Sequence, residues 1–201
     1  MKLFACLFSL LTICILTACG EAPYRPVVML ETTQGNIQIE VYEDKAPVSA
    51  ANFLLYVDSK YYDGQGFYRV VRADNDPRDM GMSLIQGGRL DSEPLTDPIA
   101  HELTSQIGLS NTKGVVSIAR DEPGSGSAAY FFINIGDNSF LDEGGERNSD
   151  GQGYATFGKV IEGMDVVRKI QAMDASGLSG DNITTGQILA QPVTILKAYR
   201  M

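Results

Sequence analysis

Tryptophan is absent from the 201 residues, histidine occurs once and cysteine three times. These shortages exclude several chemistries. Cys6 and Cys14 sit in the uncharged apolar run Leu3 to Ala18 that follows Lys2, the pattern of a secretory signal. With residues 1–18 removed, Cys19 is the sole cysteine of the mature chain. An intramolecular disulfide and a cysteine metal site then lack the residues to form, and the lipidation of Cys19 argued below leaves no thiol for catalysis. Basic residues are also few, 16 against 25 acidic, for a net charge of -9 that becomes about -10 once Lys2 is gone. A surface of that sign repels phosphate backbones, so nucleic acid is not an expected partner. The one histidine, His101, lies in the polar stretch Asp97-Pro98-Ile99-Ala100-His101-Glu102 with no serine or cysteine nucleophile motif near it. It reads as a structural or solvated side chain. No internal repeat and no low-complexity tract interrupts the chain.

The uncharged start, counted through Gly20, approaches the roughly 18–20 residues of a membrane span. The end of the run decides otherwise. Leu16-Thr17-Ala18-Cys19 resembles the bacterial lipobox, which implies cleavage before Cys19 and lipidation of its thiol. Residues 19–26 then form a lipidated tether containing Pro23 and Pro26. Seven residues reach about 25 Å at roughly 3.5 Å each, which holds the domain close to the bilayer. Gly20 after the lipidated cysteine favours the periplasmic face of an outer membrane.

Residues 27–201 read as one domain dominated by strands. Val27–Thr33 runs into the turn signal Gln34-Gly35-Asn36, after which Ile37, Ile39 and Val41 alternate with polar residues as a half-buried strand. Ala50, Phe53, Leu54 and Val57 follow Pro47 at the spacing of one helix face. Further strands are expected at Phe67–Val71, Ser83–Gln86, Val115–Ala119, Tyr130–Ile135, Thr156–Val160 and Val193–Tyr199. A second helix spans about Met164–Ile170, with Asp165 early and Arg168 and Lys169 late, matching the helix dipole. Many short strands with only two helices make a mainly β barrel or sandwich, not a βαβ repeat.

Gly124-Ser125-Gly126-Ser127-Ala128-Ala129 mimics a dinucleotide fingerprint, but it leads into another strand and not into the helix that fingerprint requires. Asn148-Ser149-Asp150-Gly151 echoes a calcium loop without its closing glutamate. The informative segments are apolar runs that each carry one polar residue: Phe67-Tyr68-Arg69-Val70, Ile85-Gln86-Gly87-Gly88, Ser117-Ile118-Ala119-Arg120, Tyr130-Phe131-Phe132-Ile133-Asn134 and Gly153-Tyr154-Ala155-Thr156-Phe157-Gly158-Lys159-Val160. In this order, with Glu102, Asn111, Asp137-Asn138 and Leu141-Asp142, they resemble the cyclophilin family over nearly the whole mature domain. The resemblance implies a closed eight-stranded antiparallel barrel capped by two α-helices. It also implies a peptidyl-prolyl cis/trans isomerase, monomeric and without metal or cofactor, acting on proline-containing segments of exported proteins.

By the same resemblance, Arg69 is the catalytic donor and Gln86 orients the substrate. Phe132, Leu141 and Leu84 wall a proline pocket with Phe140 at its rim, where the chain lacks the indole favoured by the family's cyclic-peptide inhibitor. Ala119 and the Arg120 backbone match the segment that pairs with bound peptide, and Tyr154 stands where the family has histidine or tyrosine. Departures ring this site. Ser83-Leu84 replaces Phe-Met, so one pocket wall is expected to be lost, and Tyr130 replaces a glutamine. The stretches 71–82 and 143–152 are longer than usual, and Arg89–Asp97 replaces a glycine-rich run. Two other readings therefore stand beside the enzyme: a non-catalytic proline-peptide or partner-binding module with an altered groove, and a lipoprotein with a purely structural role.

Overall fold

The computed structural model describes residues 23–90 and 92–201. The signal, Cys19 and the start of the tether lie outside the described residues. Eight strands are formed: β1 (Val27–Thr32), β2 (Gly35–Val41), β3 (Gly66–Val71), β4 (Leu84–Gly88), β5 (Val115–Ile118), β6 (Tyr130–Asn134), β7 (Thr156–Glu162) and β8 (Ile188–Arg200). They close into a barrel in the order β1-β2-β7-β5-β6-β4-β3-β8 with every pair antiparallel. Closure leaves no sheet edge unpaired. Two helices stand where the sequence placed them, α1 (Pro47–Asp58) and α3 (Met164–Gln171), and a single-turn α2 (Thr104–Ile107) is additional. The glycine-serine stretch at 124–129 passes through turns into β6 and opens no helix.

Alternation along the strands sorts side chains to two faces. Ile37, Ile39, Phe67, Ile85, Phe131, Ile133 and Phe157 face inward and are fully buried. Phe53 of α1 plugs this core, its ring 4.8 Å from Phe157 and 5.7 Å from Phe131. Burying each such side chain contributes about 2–3 kcal/mol, so α1 is held by packing more than by helix propensity. Its N-terminus has no side-chain cap from Ala46. Instead the Glu102 carboxylate, from a distant loop, accepts the amides of Val48 (3.1 Å) and Ser49 (2.8 Å). It thereby supplies both an acceptor and a negative charge to the positive end of the helix.

Two glycines after Gln86 are set by close approach. A Cβ on Gly87 would lie 2.6 Å from the Phe67 ring, and one on Gly88 would meet the Ala129 carbonyl oxygen. Gly88 also has φ +114, a conformation that L-residues rarely adopt. Any side chain here would push β4 away from β3 and β6, the two strands that flank the site described next.

Candidate active site

A bulge in β3 aims the key side chain. Phe67 pairs with Gly87 and Arg69 with Gln86, so two residues of β3 oppose one of β4 at this point. Phe67 and Val70 stay in the core, and Tyr68 and Arg69 both turn to the outer face. Register then lines Arg69 up with Gln86, and Gln86 with Phe132 on β6. A cationic donor, an amide and an aromatic ring therefore form one row across the outside of the barrel.

Arg69 is held on two sides. Its Nη1 donates to Gln86 Oε1 at 2.8 Å. Its Nε and Nη2 both donate to Gln187 Oε1, at 2.9 and 2.7 Å. Gln187 is fully buried and its amide donates to the Asn75 carbonyl oxygen at 2.8 Å. Asn75 in turn is tied to the Gly186 carbonyl oxygen and the Arg72 amide. The long loop at 71–82 is therefore a support for the arginine and not a loose excursion. Gln86 completes the row by donating from Nε2 to the Tyr68 hydroxyl at 2.8 Å. No carboxylate pairs with Arg69 among the described residues. Desolvation by burial lowers its pKa from the usual value, partly opposed by Tyr68, yet a guanidinium remains cationic at neutral pH. Burial likewise raises the Tyr68 phenol well above its ordinary value, so it stays neutral.

Beside this row lies an apolar pocket separate from the barrel core. Val71, Met82, Leu84, Phe132 and Leu141 are buried against one another, with Ala119, Phe140 and Tyr154 packed around them. The Phe132 and Tyr154 rings meet edge to face at 5.4 Å. The sequence reading expected a wall lost at Ser83, and the structure corrects this. Ser83 lies outside the groove, its hydroxyl accepting from Gln171 Nε2 at 2.9 Å. Met82 supplies the wall instead. The Asp76 carboxylate accepts the amides of Arg78, Met80 and Met82 at 3.1–3.2 Å, which curls the loop and delivers Met82 to the pocket at 4% exposure.

Together these side chains line an open groove of about 650 Å³. Arg69, Gln86, Phe132, Leu141, Leu84, Tyr154, Ala119, Arg120 and Tyr130 all border it. Phe140 is not among the residues that border it and packs against the apolar cluster. The Arg120 side chain forms a two-point ion pair with Asp150 at 2.8 Å and donates to the Gly153 carbonyl oxygen at 2.8 Å. It welds the end of β5 to the 143–152 loop. His101 bonds to the Gln152 carbonyl oxygen at 3.1 Å, outside the groove. Sequence reasoning missed Gln187, Asn75, Tyr68 and Met82. A glutamine that follows a glycine-rich loop carries no signal of its own, and Met82 falls in the stretch 71–82 that the sequence marks only as a long loop.

Comparison with known proteins bears on the same span. The family model for cyclophilin type peptidyl-prolyl cis-trans isomerases matches residues 27–199. Peptidyl-prolyl cis-trans isomerase A of Dickeya dadantii is 32% identical over 201 residues, covering 98% of each chain. Peptidyl-prolyl cis-trans isomerase B of Escherichia coli is 34% identical over 175 residues, 84% of this chain and 99% of that one. An Acinetobacter baylyi peptidyl-prolyl cis-trans isomerase reaches 40% over 154 residues, 75% of this chain and 74% of its own. Among solved structures, a Cryptosporidium parvum cyclophilin type isomerase shares the fold at TM-score 0.65 and 19% identity, covering 89% of this chain and 98% of that one. The chain belongs to the cyclophilin family and is a peptidyl-prolyl cis-trans isomerase of that type.

Proposed function

We propose that catalysis takes place in the groove beside Arg69, and that the enzyme acts on exported proteins while tethered to a membrane through lipidated Cys19. The X-Pro bond has a barrier of about 18–20 kcal/mol because rotation breaks amide resonance. In the twisted state the proline nitrogen regains a lone pair, and a fixed donor nearby stabilises it. No covalent bond forms, so a nucleophile is unnecessary. The observation that carries the reading is the half-buried Arg69 guanidinium, clamped by Gln86 and Gln187 and unpaired with any carboxylate among the described residues, at the lip of an apolar pocket. Phe132, Leu84, Met82 and Leu141 receive the proline ring, and Arg69 reaches the amide as it turns. The C. parvum isomerase has also been solved in the presence of the dipeptide Ala-Pro, a ligand of the class this pocket fits. With Met82 in place of the missing wall, the change at Ser83 no longer argues for a non-catalytic module.

A preorganised donor of this kind contributes about 3–4 kcal/mol to the transition state. Arg69→Ala should therefore cut turnover by roughly 10²–10³ and change affinity for a proline peptide by less than about tenfold. A variant turning over at the wild-type rate would remove Arg69 from the mechanism. For the tether, Cys19→Ser should release the protein from membranes or stall its processing. A cleaved chain that stays membrane-bound would refute lipidation. Localisation at the periplasmic face of an outer membrane rests on Gly20, and fractionation of the source cells tests it.

A further inference from the structure

The groove carries an uneven charge that the isomerase reaction itself does not need. Of the arginines in the described residues, Arg25, Arg72, Arg89, Arg120 and Arg200 are each paired with a carboxylate. Arg69, Arg78, Arg147 and Arg168 are not, and three of those four line this one groove. In a chain of net charge -9, uncompensated cations gathered at one place are against the average. The loops that carry the pair beyond Arg69 are tied to each other. Arg78 Nη1 donates to the Arg147 carbonyl oxygen at 2.7 Å, which joins the two long loops. The Arg147 amide reaches the Phe140 carbonyl oxygen at 3.4 Å, and its Nε is buried without a hydrogen-bond partner. These bonds set the Arg78 guanidinium and the Arg147 backbone beside the segments that carry Met82 and Phe140–Leu141, and both side chains line the groove.

The opposite side is acidic. Asp121 and Glu122 are exposed and line the groove where Ala119 bonds to Tyr130. β4 runs between the two sides, from Leu84 beside Met82 to Gly88 paired with Tyr130. At roughly 3.3 Å per residue that is about 13 Å. Asp181 also borders the groove, but its carboxylate already accepts from the amides of Ile183 and Thr184 and from the Thr184 hydroxyl at 2.7–3.0 Å. Those bonds leave its negative charge in place, and that charge acts on Arg69; the polarity of the groove concerns Arg78 and Arg147.

Taking the groove as the place where the prolyl segment binds, we infer that it is polarised for charge-asymmetric substrates. The favoured segment carries an acidic side chain on one flank of the proline, facing Arg78 and Arg147, and a basic one on the other, facing Asp121 and Glu122. An extended segment covers 13 Å in about four residues. The charges that matter therefore lie about two positions either side of the proline.

Two peptides test this with the full domain: one with Glu two residues before proline and Lys two residues after, and one with the two charges exchanged. Catalysed exchange at the X-Pro bond is followed by NMR at low ionic strength. One order should exceed the other in kcat/KM by roughly three- to tenfold, the sum of a few exposed ion pairs. The ratio should shrink in 0.5 M salt, because exposed pairs are screened, and fall towards one in an Arg78→Gln/Arg147→Gln double variant. Equal kcat/KM for the two peptides in the wild type, with Arg69→Ala still disabling both, overturns the polarity while leaving the groove assignment standing. If Arg69→Ala turns both peptides over normally, the groove assignment fails first and the polarity falls with it.

Discussion

Gln187 is the strongest test of how this site is built, because it touches no substrate and yet faces the side of the guanidinium away from Gln86. Gln187→Leu keeps the volume of a fully buried side chain and removes its acceptor. Two donors, Nε and Nη2 of Arg69, lose their partner, and only the 2.8 Å bond to Gln86 remains. Hydrogen bonds to a charged group contribute about 1.5–3 kcal/mol each. The two share a single oxygen and one arm stays held, so a loss of about 1.5–3 kcal/mol in the transition state is expected for both together. That corresponds to a fall in kcat of roughly 10- to 100-fold. KM should move by less than about threefold, because the proline pocket is untouched. Gln187→Glu retains an acceptor oxygen at the same place and should recover part of the rate. The assay is single-turnover isomerisation of an X-Pro peptide, beside circular dichroism and a melting curve to establish that each variant is folded. A folded Gln187→Leu enzyme with unchanged kcat, or one whose whole defect lies in KM, would show that Arg69 is positioned by something else.

Phe132→Ala should weaken substrate binding and turnover together, since the pocket serves ground and transition states alike, and steady-state kinetics with a peptide series separates this from the Arg69 pattern. Catalysis should be nearly flat between about pH 6 and 8, because Arg69 stays charged throughout and His101 lies outside the groove; a bell-shaped profile in that range would refute this. The Asp150 carboxyl is held below its usual range first by the bond from Arg120 and then by the Gln152 amide. Its stabilising effect is therefore present above the ordinary carboxylate value near 4 and is lost as pH falls through the lower folded value. Asp150→Asn should flatten the acid side of a melting-temperature profile, and an unaltered profile would deny the linkage. Glu102→Ala should destabilise α1 by about 1 kcal/mol through loss of two amide acceptors, read as a shifted denaturant midpoint.

Much of the barrel was legible because its physics is local. Alternation at Ile37, Ile39 and Val41 marked an inward face, and the 3.6-residue spacing from Ala50 to Val57 marked α1. The same reading placed Arg69, Gln86 and Phe132 on strands, and the register brings them into one row. What it could not see was the bulge. Strict alternation from Phe67 puts Tyr68 outside and Arg69 inside, and only an extra residue opposite Gly87-Gln86 turns both outward. The bulge depends on β8 as well, where Phe67 pairs with Val193 and Arg69 with Ile188. That pairing joins residues more than a hundred positions apart and leaves no trace in the local pattern.

The misjudged wall at Ser83 has the same origin. A substitution compared in sequence assumes that the neighbouring residue keeps its place, and here the loop does not. Asp76 draws three amides onto one carboxylate, and the chain that re-enters β4 presents Met82 to the pocket and turns Ser83 towards α3. The same loop carries Asn75 beneath Gln187 and Arg78 above Arg147. One insertion thus fills the pocket, braces the catalytic donor and charges the rim. Shortening it should disturb all three at once: a deletion of residues 73–80 should lower kcat through Gln187, raise KM through Met82 and erase any preference between charge-exchanged peptides. A deletion that loses only the preference would show that Arg69 and the pocket stand without the loop, and that its part is recognition alone.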